Sequence, residues 1–282
     1  MRKRLPTIIL ILVFLTGLSL LLYPTVSDYW NSLHQTRAIS NYMEEVADLD
    51  NDIYGQLLAE AESYNQALAE KADRLDPTEE SHAAYQTLLN ISGAGIMGYI
   101  EIPAIHCTLP IYHGTEESVL QIAVGHIEGS SLPVGGSTTH CVLSGHRGLP
   151  SARLFTDLDK LTEGDTFLLH ILDETLTYEV DQIQIIEPHE VDALRIEEGK
   201  DYCTLMTCTP YGVNTHRLLV RGQRVENQKE AGAVRVTADA MQIEPVIVAP
   251  LVAVPMLLML LILLLVRTGR RGRKPAEKAG IS

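Results

Sequence analysis

The sequence predicts a mainly β fold: a closed barrel or a sandwich of short strands, preceded by a helical extension and flanked by two membrane-spanning helices. Three observations carry this. Uncharged apolar runs lie near both ends of the 282 residues, "TIILILVFLTGLSLLLY" and "VIVAPLVAVPMLLMLLILLLV". A polar segment with helical periodicity follows the first run, and from Gly93 onward short β-type runs alternate with Gly, Pro, Asp and Asn.

Residues 1–27 combine a basic tail, Arg2, Lys3 and Arg4, with the apolar run Thr7 to Tyr23. An anchor and a signal peptide share this pattern; no clear A-x-A-like cleavage site follows, which favours the anchor. Residues 245–266 are long enough for a second span, and Arg267, Arg270, Arg271, Arg273 and Lys274 open the basic tail 267–282. Basic residues on the outer end of both runs place both termini in the cytoplasm and everything between them outside the cell membrane. That intervening part holds 13 of the 22 basic residues and 35 of the 36 acidic ones. So negative a surface repels nucleic-acid phosphates and anionic lipid, which argues against a nucleic-acid-binding role.

Residues 28–92 form the helical extension. Ile53, Leu57, Ala61, Tyr64 and Leu68 recur at helical spacing and predict an amphipathic helix whose stripe packs on the domain that follows. "RLDPTEES", residues 74–81, interrupts it with a proline and an acidic cluster, and a short helix through Tyr85 and Leu89 comes next. Residues 93–228 carry seven β-type runs: "MGYIEIP", "CTLPIY", "THCVLSGH", "TFLLHIL", "LTYEVDQIQII", "YCTLMTC" and "HRLLVRGQRV". Residues 229–244 read as a linker to the second span.

The four cysteines are Cys107, Cys141, Cys203 and Cys208. Two disulfides are open to them on an exported domain, although a domain of this size does not need them to fold. Strand alternation sets Cys141 on the opposite face from His140 and His146, so no shared metal site is expected. Cys203 and Cys208, five apart on one strand, also face opposite ways: Cys203 reads as core, whereas Cys208 ends its strand beside the loop "TPYGVNT". A hairpin through that loop brings Arg217 to the same end of the sheet, and a nearby guanidinium favours the thiolate. The proton-transfer partner is less determined. His146 closes a strand where it meets a loop, which ranks it narrowly above His126 and His216.

"TLMTCTPYGVNTHRLLVRG", "HCVLSGHRGLPSARLFTDLDKL" and "MGYIEIPAIHCTLPIYHGTEESVLQIAVGHIEGSSLPVGG" resemble a class C, pilin-polymerising sortase of Gram-positive bacteria, from about Asp76 to Arg224. One departure is Gly145, where an alanine often precedes the histidine. The resemblance implies a sortase-type closed β-barrel of about eight strands, Cys208 as nucleophile, His146 as general acid and Arg217 as the group that holds substrate and oxyanion. It implies no cofactor. The implied partners are pilin subunits bearing LPXTG-like sorting signals and an acceptor lysine, joined by isopeptide bonds. It also implies a lid, an Asp-Pro-aromatic motif over the cysteine, of which this chain keeps Asp76 and Pro77 but has Thr78 in place of the ring. Asp76 is then expected to pair with Arg217. Two rivals are a sortase that anchors proteins to peptidoglycan, which the helical extension and second span argue against, and a non-enzymatic surface scaffold with structural cysteines.

Overall fold

The computed structural model describes residues 5–227 and, within the C-terminal apolar run, residues 253–257, 259 and 262, which are helical. The expected linker, most of the second span and the basic tail lie outside the described residues.

The first helix, α1, runs from Leu5 to Ala47 without a break at Pro24. The expected boundary between anchor and extension at residues 27 and 28 is therefore not a break in secondary structure. Part of α1 has a mean hydropathy of 2.3, apolar and long enough to cross a membrane. Among the described residues it is the one candidate span. From Asp28 on, α1 lies against the domain through residues at helical spacing. Asp28 accepts from Arg153 N (2.9 Å), Asn31 donates to Ser151 O (2.8 Å) and Gln35 donates to Ile122 O (2.7 Å). Tyr42, fully buried, closes the stripe: its hydroxyl donates to Met97 O (2.9 Å) and accepts from Leu172 N (2.7 Å).

The second helix, α2, spans Asn51–Ala69 and is capped by Asp50, which accepts from Asp52 N. Its packed stripe is the expected one, Tyr64 included, except at its first position. Tyr54, Leu57 and Leu58 pack against the core and Ala61 and Leu68 are buried, but Ile53 faces solvent. A polar residue the periodicity did not select, Asn65, is buried and grips Leu132 by both backbone groups (3.1 and 2.6 Å). The third helix, α3, is Glu79–Tyr85. A one-turn helix, α4, follows at Glu117–Leu120.

Eight strands close the barrel: β1 Ile96–Ile102, β2 Cys107–His113, β3 Val124–His126, β4 Thr139–Ser144, β5 Thr166–Ile171, β6 Glu174–Ile186, β7 Asp201–Thr209 and β8 His216–Val225. Their order around the barrel is β1-β2-β3-β4-β7-β8-β6-β5. Seven match the expected runs. The eighth, β3, is only three residues of "VGH", too short for alternation to reveal it. Two pairings are parallel, β2 with β3 and β4 with β7. Alternation sorts the side chains: Cys141, Leu143, Cys203, Leu205, Leu218 and Val220 fill the interior. On the outside of the same strands Val142 and Leu219 are covered by Leu194, with Ile127, Ile186, Ala193 and Met206 around them.

Candidate active site

The outer face of β4, β7 and β8 is where the chemistry-bearing residues meet. In the β7–β8 hairpin Cys208 and Arg217 are direct cross-strand partners, as the hairpin reading expects. Across the parallel pair, Ser144 lies opposite Met206, and the ladder persists one residue further: Gly145 N donates to Met206 O (3.0 Å) and Thr207 Oγ1 donates to Gly145 O (2.7 Å). His146 lies two residues past the end of β4, as Cys208 lies two past Met206, so continuing the ladder would set them level and on one face. A thiol and a guanidinium meet on β7 and β8, with the imidazole on the loop that leaves the neighbouring strand.

The other cysteines are placed differently. Cys141 and Cys203 are cross-strand partners inside the barrel, and all four are free thiols. Burial pushes the Cys203 thiol well above its ordinary value, and burial likewise pushes Cys107 up to about 12. Cys208 is only half-buried, next to a cation. Arg217 Nη1 donates to the carbonyls of Asn214 (3.3 Å) and His216 (3.1 Å), and among the described residues its other guanidinium nitrogens have no protein hydrogen bond, which leaves them for an incoming anion.

Of the three histidines weighed from sequence, His146 alone shares this face with Cys208. His126 is fully buried, with Nδ1 at Tyr85 Oη (2.9 Å) and Nε2 at Ser131 O (2.9 Å). His216 sits on the opposite side of β8 from Arg217 by alternation, with Nδ1 2.9 Å from Thr215 Oγ1. His146 Nε2 makes no hydrogen bond but lies 3.6 Å from the Glu117 carboxylate of α4. Glu117 is held below its ordinary carboxylate range chiefly by the Gln121 amide, with His146 adding to the effect. Sequence reasoning missed Glu117, since nothing in "GTEESVL" separates it from solvated neighbours. His140, on the opposite face from Cys141 as alternation expects, is buried there as a structural group. Its Nδ1 is 2.7 Å from Arg195 O and its Nε2 is 2.7 Å from Thr204 Oγ1. Among the described residues no group of three or more His, Cys, Asp or Glu is arranged to hold a metal.

The loop after His146 is closely fitted. Arg147 pairs with Asp159 and lies 6.0 Å from the centre of the Tyr211 ring. Gly148 has φ +77°, and a Cβ there would meet the Tyr211 ring at 2.7 Å. Gly145, the departure from the family pattern, is required by its neighbour, because a Cβ would stand 2.7 Å from the buried ring of Phe155.

The 74–81 segment adopts a different arrangement from the expected pairing. Among the described residues no ion pair links Asp76 to Arg217, whose Nη1 instead bonds backbone carbonyls. Asp76, Pro77 and Thr78 line a cleft of about 350 Å³ with Tyr64, Glu128 and Gly129. Arg74 holds the segment, with Nη1 on Gly129 O and Nη2 on Leu194 O, both at 2.5 Å. These carbonyls belong to the β3–β4 and β6–β7 connections, so the guanidinium bridges the two sides of the outer β4–β7–β8 face. Thr78 serves the helix that follows, since its hydroxyl accepts from Ser81 N (3.2 Å) and caps α3.

Comparisons with known proteins agree with this geometry. The sequence model of the family described as "Sortase domain" matches residues 100–225. The crystal structure of sortase C1 from Streptococcus agalactiae is 52% identical, covers 68% of this chain and 99% of its own, and superposes with a TM-score of 0.65. Sortase C of Streptococcus pneumoniae is 43% identical, with 68% of this chain and 97% of that one covered and a TM-score of 0.61. Among curated proteins, Sortase D of Bacillus subtilis is 31% identical over 131 residues, 45% of this chain, and the chain spans 63% of that protein's length. With the barrel, the Cys208–Arg217 pair and the histidine beside them, these matches establish that the chain belongs to the class C sortases, a family of cysteine transpeptidases.

Proposed function

We infer that the protein assembles pili: it cleaves an LPXTG-like sorting signal between Thr and Gly and joins the acyl fragment to a lysine of the next pilin subunit. The observation that carries this is the cross-strand pairing of Cys208 with Arg217, with His146 two residues past the end of the neighbouring strand β4. The Cys208 thiolate attacks the Thr carbonyl carbon, and the carbonyl electron pair moves to oxygen, where the open side of Arg217 stabilises it. His146 then gives its proton to the departing glycine amine as the C–N bond breaks, leaving a thioacyl-enzyme. The acceptor lysine amine attacks this thioester, its proton passes to His146, and the thiolate leaves with an isopeptide bond formed. The pilin assignment is supported by the Streptococcus pneumoniae relative, whose structure is described in terms of pilin substrate specificity.

In this reading α1 is the membrane anchor, both termini are cytoplasmic and the barrel lies outside the cell. Residues 74–81 act as a lid in which Arg74, rather than Asp76, makes the hold. The test is incubation of the protein with a sorting-signal peptide and a lysine-bearing pilin fragment, with the product read by mass spectrometry. An isopeptide product that disappears in Cys208→Ala and falls by several orders of magnitude in His146→Ala supports the mechanism. Retained turnover in Cys208→Ala refutes it, and transfer to a peptidoglycan stem peptide in preference to the pilin lysine refutes the pilin assignment.

A further inference from the structure

Past Gly145 the backbone ladder no longer ties the chain that carries His146 to β7. Strand β4 ends at Ser144, and the bonds of Gly145 with Met206 and Thr207 are, among the described residues, the last its backbone makes to that strand. The His146 carbonyl accepts from Phe155 N (3.1 Å) within its own loop, and its ring nears a carboxylate, Glu117, that is itself 71% exposed. Neither contact fixes the imidazole relative to Cys208.

Arg147 makes the crossing. Its side chain is 11% exposed. Nη1 donates to the hydroxyl of Thr209, the residue after Cys208 (3.4 Å), and the guanidinium lies 6.0 Å from the centre of the Tyr211 ring in the same hairpin. Thr209 is on the opposite face of β7 from Cys208, so the grip comes from behind the site, and among the described residues Arg147 bonds neither Cys208 nor Arg217. On its other side Nη2 pairs with Asp159, in the short 3-10 turn Leu158–Lys160 whose Leu158 is fully buried.

A planar fork suits this post: one edge takes the carboxylate, another the hydroxyl, and the face takes the ring, which an ammonium on a flexible stem cannot do at once. The arrangement has a cost. Nε is buried and, among the described residues, has no hydrogen-bond partner. A buried donor left unpaired lowers stability, so the reason for an arginine here lies elsewhere.

We propose that Arg147 is a positioning residue: braced on Asp159, its guanidinium grips Thr209 and Tyr211 and so holds the turn bearing His146 at a set distance from the hairpin bearing Cys208. The imidazole is then in place to protonate the glycine amine as it leaves. A displacement of about 1 Å costs up to about 100-fold in rate.

This role rests on the reading of His146 as general acid above, and the experiment tests the two separately. An amide leaving group needs a proton and a thioester leaving group does not. The full chain in detergent is given a sorting-signal peptide with its Thr–Gly amide, and the same peptide as a Thr thioester. Leaving-group release in the first turnover gives a saturating rate and a half-saturating concentration for wild type, Arg147→Met, Arg147→Lys, Asp159→Asn and His146→Ala. In Arg147→Met the rate on the amide falls about 10–100-fold with the half-saturating concentration within about twofold, while the rate on the thioester stays within about threefold. Arg147→Lys falls between Arg147→Met and wild type, and Asp159→Asn, at a half-exposed side chain whose loss the fold tolerates, shows the same contrast at about 3–10-fold. Equal loss on both substrates, a loss confined to the half-saturating concentration, or unchanged amide cleavage overturns the brace; where Arg147→Met does not fold, Asp159→Asn decides. His146→Ala that spares the thioester alone leaves the general acid standing in each of those cases, and His146→Ala that cleaves the amide at the wild-type rate overturns both.

Discussion

Removing the Arg74 side chain should activate the enzyme toward peptides. Its two hydrogen bonds, at 2.5 Å to the carbonyls of Gly129 and Leu194, tie the 74–81 segment, the proposed lid, to the β3–β4 and β6–β7 connections. Hydrogen bonds from a charged donor contribute about 1.5–3 kcal/mol each before the side-chain entropy, about 1.5–2 kcal/mol, that ordering an arginine costs. Arg74 is only half-buried, which argues for the low end, so the net hold is about 1–1.5 kcal/mol. At about 1.4 kcal/mol per factor of ten, Arg74→Ala shifts the balance of closed and open lid by roughly tenfold. Where lid opening limits access, kcat/KM for a fluorogenic sorting-signal peptide rises by up to that factor. Arg74→Lys, one charge without the fork, should fall in between. A lower thermal midpoint with kcat/KM unchanged within about twofold would show that Arg74 is a structural strut and not a latch.

Three further outcomes are expected. Gly145→Ala forces a methyl against the buried Phe155 ring and should cost about 1–3 kcal/mol with loss of turnover, because His146 is the next residue; Phe155→Leu in the same chain should restore much of both, and a Gly145→Ala protein as stable as wild type contradicts the packing argument. His140 is pulled down to about 4, mainly by burial and further by Arg221 and Arg74 against the opposing pull of the Arg195 carbonyl, so its neutral form stabilises the fold fully above about pH 6.5 and that contribution, up to about 3 kcal/mol, is lost as pH falls toward 4; denaturant titrations from pH 7 to 4 should show a steeper decline in wild type than in His140→Gln. Thr78→Trp trades the cap of α3, about 1 kcal/mol, for a ring in the lid, so labelling of Cys208 by a small thiol reagent should slow while the thermal midpoint falls; equal labelling in wild type, Asp76→Ala and Thr78→Trp would show that the loop does not guard the thiol.

Much of the site is legible in the sequence because it depends on local rules. Period two separates Cys203 from Cys208, and turn residues 210–215 define the hairpin that pairs Cys208 with Arg217. The histidine was harder. The strand before it pairs in parallel with one far along the chain, Ser144 with Met206 62 residues on, so no turn announces the pairing, and only the register separates His146 from His126 and His216. The short β3 and its parallel pairing with β2 escaped for the same reason. Helix α1 continues past Pro24 because a proline removes one backbone hydrogen bond, while docking through Asp28, Asn31, Gln35 and Tyr42 holds the helix on its far side. The 74–81 segment shows the limit of motif reasoning: the expected Asp76–Arg217 ion pair is absent among the described residues, Arg74 makes the hydrogen bonds to the barrel connections, and Thr78 is a helix cap.

The parallel pairing of β4 with β7 has an evolutionary consequence. Between β6 and β7, residues 187–200 hang outside the ladder, yet they deliver Leu194 to the outer face beside the catalytic strands. Insertions, deletions or wholesale exchange there leave the β4–β7 ladder from Thr139–Asp201 to Ser144–Met206 untouched. A single residue inserted within β7, by contrast, would turn Cys208 toward the barrel interior and present a threonine in its place. Selection can therefore rewrite this connection while Cys208 and Arg217 stay paired in a frame that tolerates no slip.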